Sequence, residues 1–404
     1  MQPAFRQSAP PPLTMQHHRV TMSTEDEEGI HRALMKQVQT SILTTPAMRL
    51  VHATQQEGYR LTEQHHGVRV YTRKSPSGGE ETMSVSYTQH HLTFENLMYL
   101  LLAQTTEEHR IQQTLFHDDA FLDGCVFSTI LSPTEEDPFQ WYGLKYTKLA
   151  LSSYRFVDPR DVCYVEISGT TVNMDGHTVL YVMRESLTLR SVPLVPDAIR
   201  GRVKSLSLHT ECPNGTIEHV HFSYMNPYGS VPAFLFKPSQ LRMNTMVERY
   251  AQLIHFKRML DMSKNCTTFF PVNQRACGSC ERSFWALTTR CYCRSCGEVI
   301  CGKCAIFIPR PKEQLFHMNL CIVKEEYCKT CYLHVRGPTS SSMTSLSSMG
   351  GLGTYLLTSR HFPKESEPTP PTSRSLLSLP NSRRGYKTPT SKQATLSMIP
   401  PLRS

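Results

Sequence analysis

The sequence predicts an α+β protein: an antiparallel sheet closed by a long C-terminal helix, then a small metal-bound module, between two unstructured ends. Three observations predict it. Short runs of alternating apolar and polar residues recur at regular spacing between residues 67 and 226, with turn-rich segments between them, as in antiparallel strands. A stretch with one apolar helical stripe follows. Ten of the fourteen cysteines then fall between Cys277 and Cys331.

Residues 1–22 are rich in Pro and Gln and carry few large apolar groups, a composition that cannot bury a core. Ser23 opens a helix. Glu25, Asp26 and Glu27 give it an acidic first turn, and Ile30, Leu34, Val38 and Ile42 recur at helical spacing until Pro46 ends or kinks it. From about residue 50 to 262 a single α+β domain is expected. Gly67–Lys74 and Met83–Gln89 alternate as half-buried strands around the turn SPSGGEE. TFENLMYLLLAQ is helical. FLDGCVFSTIL, QWYGLKYTKLAL, RDVCYVEISGTTV, HTVLYVMRESL, VKSLSLHTECP and TIEHVHFSYMN continue as a meander. Ser239 then caps the last helix, whose stripe is Met243, Met246, Tyr250, Leu253, Ile254 and Met259. Such a helix lies across a sheet.

Composition bounds the rest. The net charge is +9 over 404 residues, suited to an acidic partner without naming one. The N-terminus has no apolar secretion segment, and no run approaches the roughly 20 apolar residues of a membrane span. A soluble, intracellular protein is expected, where thiols stay reduced and free to hold metal. Residues 337–404 are dominated by Ser, Thr, Pro, Leu and Arg. With eight basic residues against two acidic ones, they read as an unfolded basic tail. No Gly-x-Ser-x-Gly, phosphate loop or His-Glu-x-x-His is present, and the expectation is a protein without enzymatic activity. His65-His66 and His90-His91 sit at strand edges. Neighbours on a strand face opposite ways, so neither pair is expected to form a metal site.

The middle domain resembles the START lipid-binding family. GVRVYTRK resembles its early strand, YRFVDPRDVCYVE (Tyr154–Glu166) its Pro-Arg-Asp-x-Cys-Tyr strand, and YMNPYGSVPAFLF (Tyr224–Phe236) the turn before its last helix. The motifs occur in the family's order over about 200 residues. The resemblance implies a helix-grip fold over residues 23–262, a curved sheet closed by the C-terminal helix over an apolar tunnel for one lipid. Phe234, Phe236, Tyr250 and Met246 are large enough to fill that tunnel instead, and the sequence leaves both outcomes open. Arg160 and Asp161, at a strand start, read as structural.

The cysteines form four Cys-x2-Cys pairs, Cys277/Cys280, Cys293/Cys296, Cys301/Cys304 and Cys328/Cys331. Eight thiolates suffice for two tetrahedral Zn²⁺ ions. The spacing over residues 271–335 resembles the FYVE finger, with Gly297 ending its Arg-x-x-Cys-Gly and an aromatic at Phe284. The resemblance implies interleaved sites: Cys277, Cys280, Cys301 and Cys304 on one zinc, Cys293, Cys296, Cys328 and Cys331 on the other. Folding energy would then come mostly from metal, on the order of 10 kcal/mol per site. A RING spacing fails at Val299, where its sixth ligand would stand. Cys291 and Cys321 remain over.

FYVE fingers bind phosphatidylinositol 3-phosphate through motifs that depart here. The Trp-x-x-Asp before the first cysteine is missing. The basic run keeps only Arg290 and Arg294. Glu326 stands where an arginine is expected, and a carboxylate near phosphate reverses the sign of the interaction. FWAL (Phe284–Leu287) aligns with the family's membrane-inserting turret, which makes Trp285 and Leu287 candidate membrane contacts. The expected whole is a two-zinc, lipid-binding adaptor, cytoplasmic or peripheral on endosomal-type membranes. The alternatives are a protein-interaction scaffold without lipid and an atypical ubiquitin ligase. Nucleic acid is the least favoured partner, since the finger lacks an evident recognition helix.

Overall fold

In a computed structural model the chain divides into two compact units, residues 1–340 and 341–404. The structure describes residues 22–43, 46–74, 82–151, 157–229, 233–263, 274–285, 287–313 and 320–336, with Met15, Val20 and Val231. The expected unfolded ends, residues 1–22 and 337–404, fall almost wholly outside them, as does the SPSGGEE turn. Among the described residues no helix is long and apolar enough to cross a membrane.

Helix α1 spans Thr24–Ile42, with the Ser23 hydroxyl accepting the Asp26 N–H, the N-cap bond its first turn needs. Pro46 does not kink this helix. It begins a second one, α2 (Pro46–Gln55), where the missing proline N–H costs nothing. Strands β1 (Arg60–His65), β2 (Val68–Lys74) and β3 (Thr82–His90) follow, then helices α3 (Phe94–Leu101) and α4 (Thr106–His117). β1 and α4 go beyond the sequence expectation. α4 is announced by a capping box in which Thr105 and Glu108 each bond the other's backbone N–H, a signal present as Thr-x-x-Glu.

Strands β4 (Phe121–Leu131), β5 (Trp141–Leu149), β6 (Arg160–Val172), β7 (Thr178–Ser186), the short β8 (Ile199–Arg200), β9 (Arg202–Glu211) and β10 (Ile217–Asn226) complete a ten-stranded sheet. Its order is β1-β2-β3-β10-β9-β7-β6-β5-β4, with β8 pairing β6 in parallel. The early and late strands therefore meet inside an open sheet whose edges are β1 and β4. The last strand β10 inserts beside β3, with Phe222 opposite Val85, and the two intervening helices carry the chain to the far edge at β4.

Period-two alternation sorts the strand residues onto two faces. Val179, Tyr181 and Met183 of β7 join Leu206 and Leu208 of β9 in a core under Leu34 and Val38 of α1. Leu180 and Val182 turn the other way, into a core with α3, α4 and the C-terminal helices. Both faces being covered, β7 reads as an unbroken apolar run. The Tyr142 hydroxyl donates to the Glu27 carbonyl at 2.8 Å and ties α1 to the first face.

The expected single closing helix is three pieces: α5 (Ala233–Asn244), a 3-10 turn at Met246–Arg249, and α6 (Tyr250–Ser263). Ser239 is not its cap. It lies inside α5 after Pro238 and donates its hydroxyl to the Leu151 carbonyl at 2.7 Å. The break after α5 falls at Asn244, whose side chain accepts the Ser84 hydroxyl at 3.0 Å.

Strands β11 (Arg290–Tyr292) and β12 (Val299–Cys301), the long hairpin β13 (Ala305–Glu313) and β14 (Leu320–Cys328), and helix α7 (Lys329–Arg336) form the cysteine module together with the turns that hold Cys277, Cys280, Cys293, Cys296 and Cys304. This module is docked on the large sheet's helices. Ile308 and Tyr327, both fully buried, belong to the core built by α3, α4 and α6. The Tyr327 hydroxyl donates to Ser263 Oγ at 3.0 Å at the end of α6.

Candidate functional site

The two faces of the sheet differ in chemistry. Toward α1 it is mostly apolar, with the Lys204–Glu185 ion pair among its alternate positions. Toward α4 and the closing segment it presents Lys145, Glu166, Arg184, Ser205, Ser207, His219 and His221 at alternate strand positions. Between this face and the closing segment lies a cavity of about 180 Å³, walled on the helical side by Phe116 and His117 of α4 and by Met243, Met246, Val247 and Tyr250. Of the four residues expected to fill it, Met246 and Tyr250 form its wall, and Phe236 packs with Leu151, Val231 and Leu235 elsewhere. The Phe234 side chain lies outside the described residues.

Beside the cavity is an ion-pair network that the sequence reading missed. Lys145 Nζ reaches Glu166 Oε1 at 2.5 Å and Arg184 Nε reaches Glu166 Oε2 at 2.5 Å. Lys145 is fully buried and lies 4.1 Å from the Trp141 ring centroid. Burial pushes the Glu166 carboxyl up, but Lys145 and then Arg184 overcome it and hold it at about 2. The signal was available in WYGLKYTKL and YVEISG, where charged residues recur at strand positions whose neighbours are strongly apolar. A charge in a strand covered on both faces must have a buried partner.

Burial lowers His117 to about 4, helped by Arg242, Arg184 and Arg249. It lowers His221 to about 4, helped by Arg184. His221 Nδ1 and the Ser207 hydroxyl meet at 2.8 Å. The rings of His209 and His219, opposite each other on β9 and β10, stack 4.2 Å apart. Arg160 and Asp161 are structural. Arg160 donates to the carbonyls of Pro227 and Tyr228, and Asp161 accepts two bonds from Arg200.

The histidine pairs depart from expectation. His66 has φ of 41°, a left-handed turn conformation, so His65 and His66 do not face apart. Their Nδ1 atoms converge on Glu248 Oε2 at 3.0 and 3.5 Å, a group whose ligand atoms lie close enough to share an ion. Both rings are exposed, and charge-assisted hydrogen bonds to Glu248 account for the arrangement. His90 is half-buried and turns toward His209 and His219.

The eight paired cysteines gather into two groups, Cys277, Cys280, Cys301 and Cys304, and Cys293, Cys296, Cys328 and Cys331. In each, the sulfurs lie within 4.8 Å of one another. The pairs thus interleave, first with third and second with fourth. Sulfur separations of 3.9 Å for Cys280–Cys301, Cys293–Cys331 and Cys296–Cys328 match the ~3.8 Å edge of a tetrahedron with 2.3 Å metal–sulfur bonds. They are far too long for disulfides. Backbone N–H groups of Cys301 and Cys328 point at the sulfurs of Cys277 and Cys293 at 3.3 and 3.2 Å, which suits thiolates. The donor sets are compatible with two zinc ions.

The leftover cysteines stand apart. Cys291 is buried on β11, and burial with the nearby Glu326 carboxylate pushes its thiol up to about 11. Cys321 lies on β14 and donates to the Lys312 carbonyl. Of the candidate membrane residues, Trp285 is 81% and Leu287 99% exposed, in a turn closed by the Thr288 N–H bonding the Trp285 carbonyl. Arg290 and Arg294 are exposed on the same module, with the Arg290 guanidinium 4.9 Å from the Phe284 ring. Glu326 lies beside that basic run, its carboxylate accepting the Tyr292 N–H at 2.8 Å.

No family model matches the chain. Solved structures similar to it include the human StarD13 (DLC2) lipid transfer and protein localization domain, at 14% identity and a TM-score of 0.38 over 52% of this chain and 98% of that one. The human StAR-related lipid transfer protein 5 is similar at 13% identity and 0.38, over 55% and 97%. A STAR-related lipid transfer protein fragment from Xanthomonas axonopodis is similar at 16% identity and 0.36, over 48% and 98%.

Proposed function

We propose that the chain is a non-enzymatic, zinc-stabilised lipid-binding adaptor. In this reading a START-like domain (residues 23–262) holds one lipid, and a FYVE-like finger (residues 271–335) brings it to a membrane surface inside the cell. The observation that carries it is the cavity under the closing segment, apolar over most of its wall and bounded by α4 and the closing helices. Its ~180 Å³ is below the roughly 300–1,000 Å³ of common small-molecule sites. One hydrocarbon chain or a compact ring system suits it, and two acyl chains would need the closing segment to move. The Asn244–Arg249 break, where the helix is interrupted, is the natural place for that movement.

Membrane contact rests on Trp285 and Leu287, two large apolar side chains that make little contact with the finger and stand near Arg290 and Arg294. We assign no phosphoinositide selectivity, because the Glu326 carboxylate sits against the strand that would supply the basic run. Native mass spectrometry of the full chain tests the reading. Two zinc ions and one co-purifying lipid per molecule are expected. A protein that carries no lipid and accepts none from vesicles would instead support the interaction-scaffold reading.

A further inference from the structure

The cavity's polar groups are unbalanced in charge. Lys145, Arg184 and Glu166 together leave one positive charge, and Arg184 lines the cavity. Arg242 on α5 also lines it. It has no carboxylate partner among the described residues. Arg242 is exposed, which places it where the cavity opens to solvent. Arg184, Arg242 and Arg249 are all near enough to His117 to disfavour its charged form after burial has done so, so the guanidiniums converge on one end of the cavity. Against them stand Glu166, already shared by two cations, and Asp118 near Arg249.

Resting on the reading of this cavity as a lipid site, we propose that its ligand is a single-chain amphiphile with an anionic head, the chain lying against Phe116, Met246, Val247 and Tyr250 and the head held at the mouth by Arg184 and Arg242. A cationic mouth with low-dielectric walls concentrates its field at the opening. Guanidiniums bind carboxylate and phosphate oxygens in the same forked geometry, so both head types belong to the class. A zwitterionic head would bring its own cation against these guanidiniums, and an alcohol would leave them unneutralised.

The test uses the full, zinc-loaded chain stripped of lipid and titrated below micellar concentrations with four probes that share one chain: oleate, oleoyl lysophosphatidic acid, oleoyl lysophosphatidylcholine and oleyl alcohol. Stoichiometry comes from native mass spectrometry and affinity from calorimetry. Oleate or the lysophosphatidic acid is expected to bind one-to-one at least tenfold more tightly than the other two. The ratio between these anions tells carboxylate from phosphate. Arg242→Gln, an exposed change that keeps the fold, should cut the anionic preference several-fold while leaving oleyl alcohol unchanged. Equal binding of all four probes, or an Arg242→Gln variant with undiminished preference, overturns the anionic head and leaves the lipid cavity standing. Binding of none of the four overturns both.

Discussion

Glu166→Gln is the sharpest single perturbation of the fold. The carboxylate is 2% exposed and holds two cations at 2.5 Å, one of them the fully buried Lys145. The amide offers one acceptor atom in place of two charged ones. It leaves the Lys145 ammonium with the Trp141 ring and only the more distant Glu108 as counter-charge. Breaking a buried pair from one side costs about 3–5 kcal/mol. In a unit of this size each kcal/mol lowers the melting temperature by about 2–4 °C, so calorimetry of the zinc-loaded chain should show a drop of roughly 6–20 °C. Urea denaturation should show the same loss in midpoint with an unchanged slope. Adding Lys145→Met removes the stranded cation, and the double variant should recover most of the loss, since apolar replacement of a buried pair is often neutral or better. A Glu166→Gln variant within about 1 kcal/mol of the parent, or a double variant no better than the single one, would refute the assignment of this network as the charge balance of the core.

Zinc content should fall from two ions to one in Cys296→Ser and remain two in Cys291→Ser, measured by plasma mass spectrometry. Because Tyr327 bonds Ser263 on α6 and precedes Cys328, chelation should also lower the melting temperature of the large domain rather than release the finger alone. Trp285→Ser with Leu287→Ser should weaken partitioning onto anionic vesicles by about 10-fold or more at unchanged zinc content, and undiminished partitioning would remove the loop from the membrane contact. His109, His117 and His221 are held neutral by burial, at about 3, 4 and 4. The unfolded chain therefore takes up protons first. The stability they contribute is present above about pH 6.5 and is lost as pH falls toward 4, with about three protons bound on unfolding near pH 5. A melting temperature flat across that window would contradict it.

Strands β4 to β7, β9 and β10 were legible because each carries an alternating or continuous apolar pattern several residues long and ends at turn residues. The cysteine pairs were legible because a Cys-x2-Cys knuckle is a local structure. α4 was missed because its buried face includes His109, Arg110, Gln112 and Gln113, polar residues that hide a helical stripe. They are satisfied by distant groups: Arg110 Nε donates to the Gly124 carbonyl, and Gln112 to the Leu100 and Leu101 carbonyls. The His65, His66 and Glu248 group was missed because it depends on one left-handed residue and on a turn 183 positions away.

The sequence by itself determined the class of the fold and the eight sulfurs available to metal, because these follow from local periodicity and spacing. Only the tertiary structure decided that β10 pairs with β3, that the final helix breaks at Asn244, that the cysteine module shares a core with α4 and α6, and that Lys145, Glu166 and Arg184 pair beside one cavity. Each of these depends on partners far apart in the chain, chosen by how surfaces pack and how buried charges find counter-charges. No window of neighbouring residues contains that information.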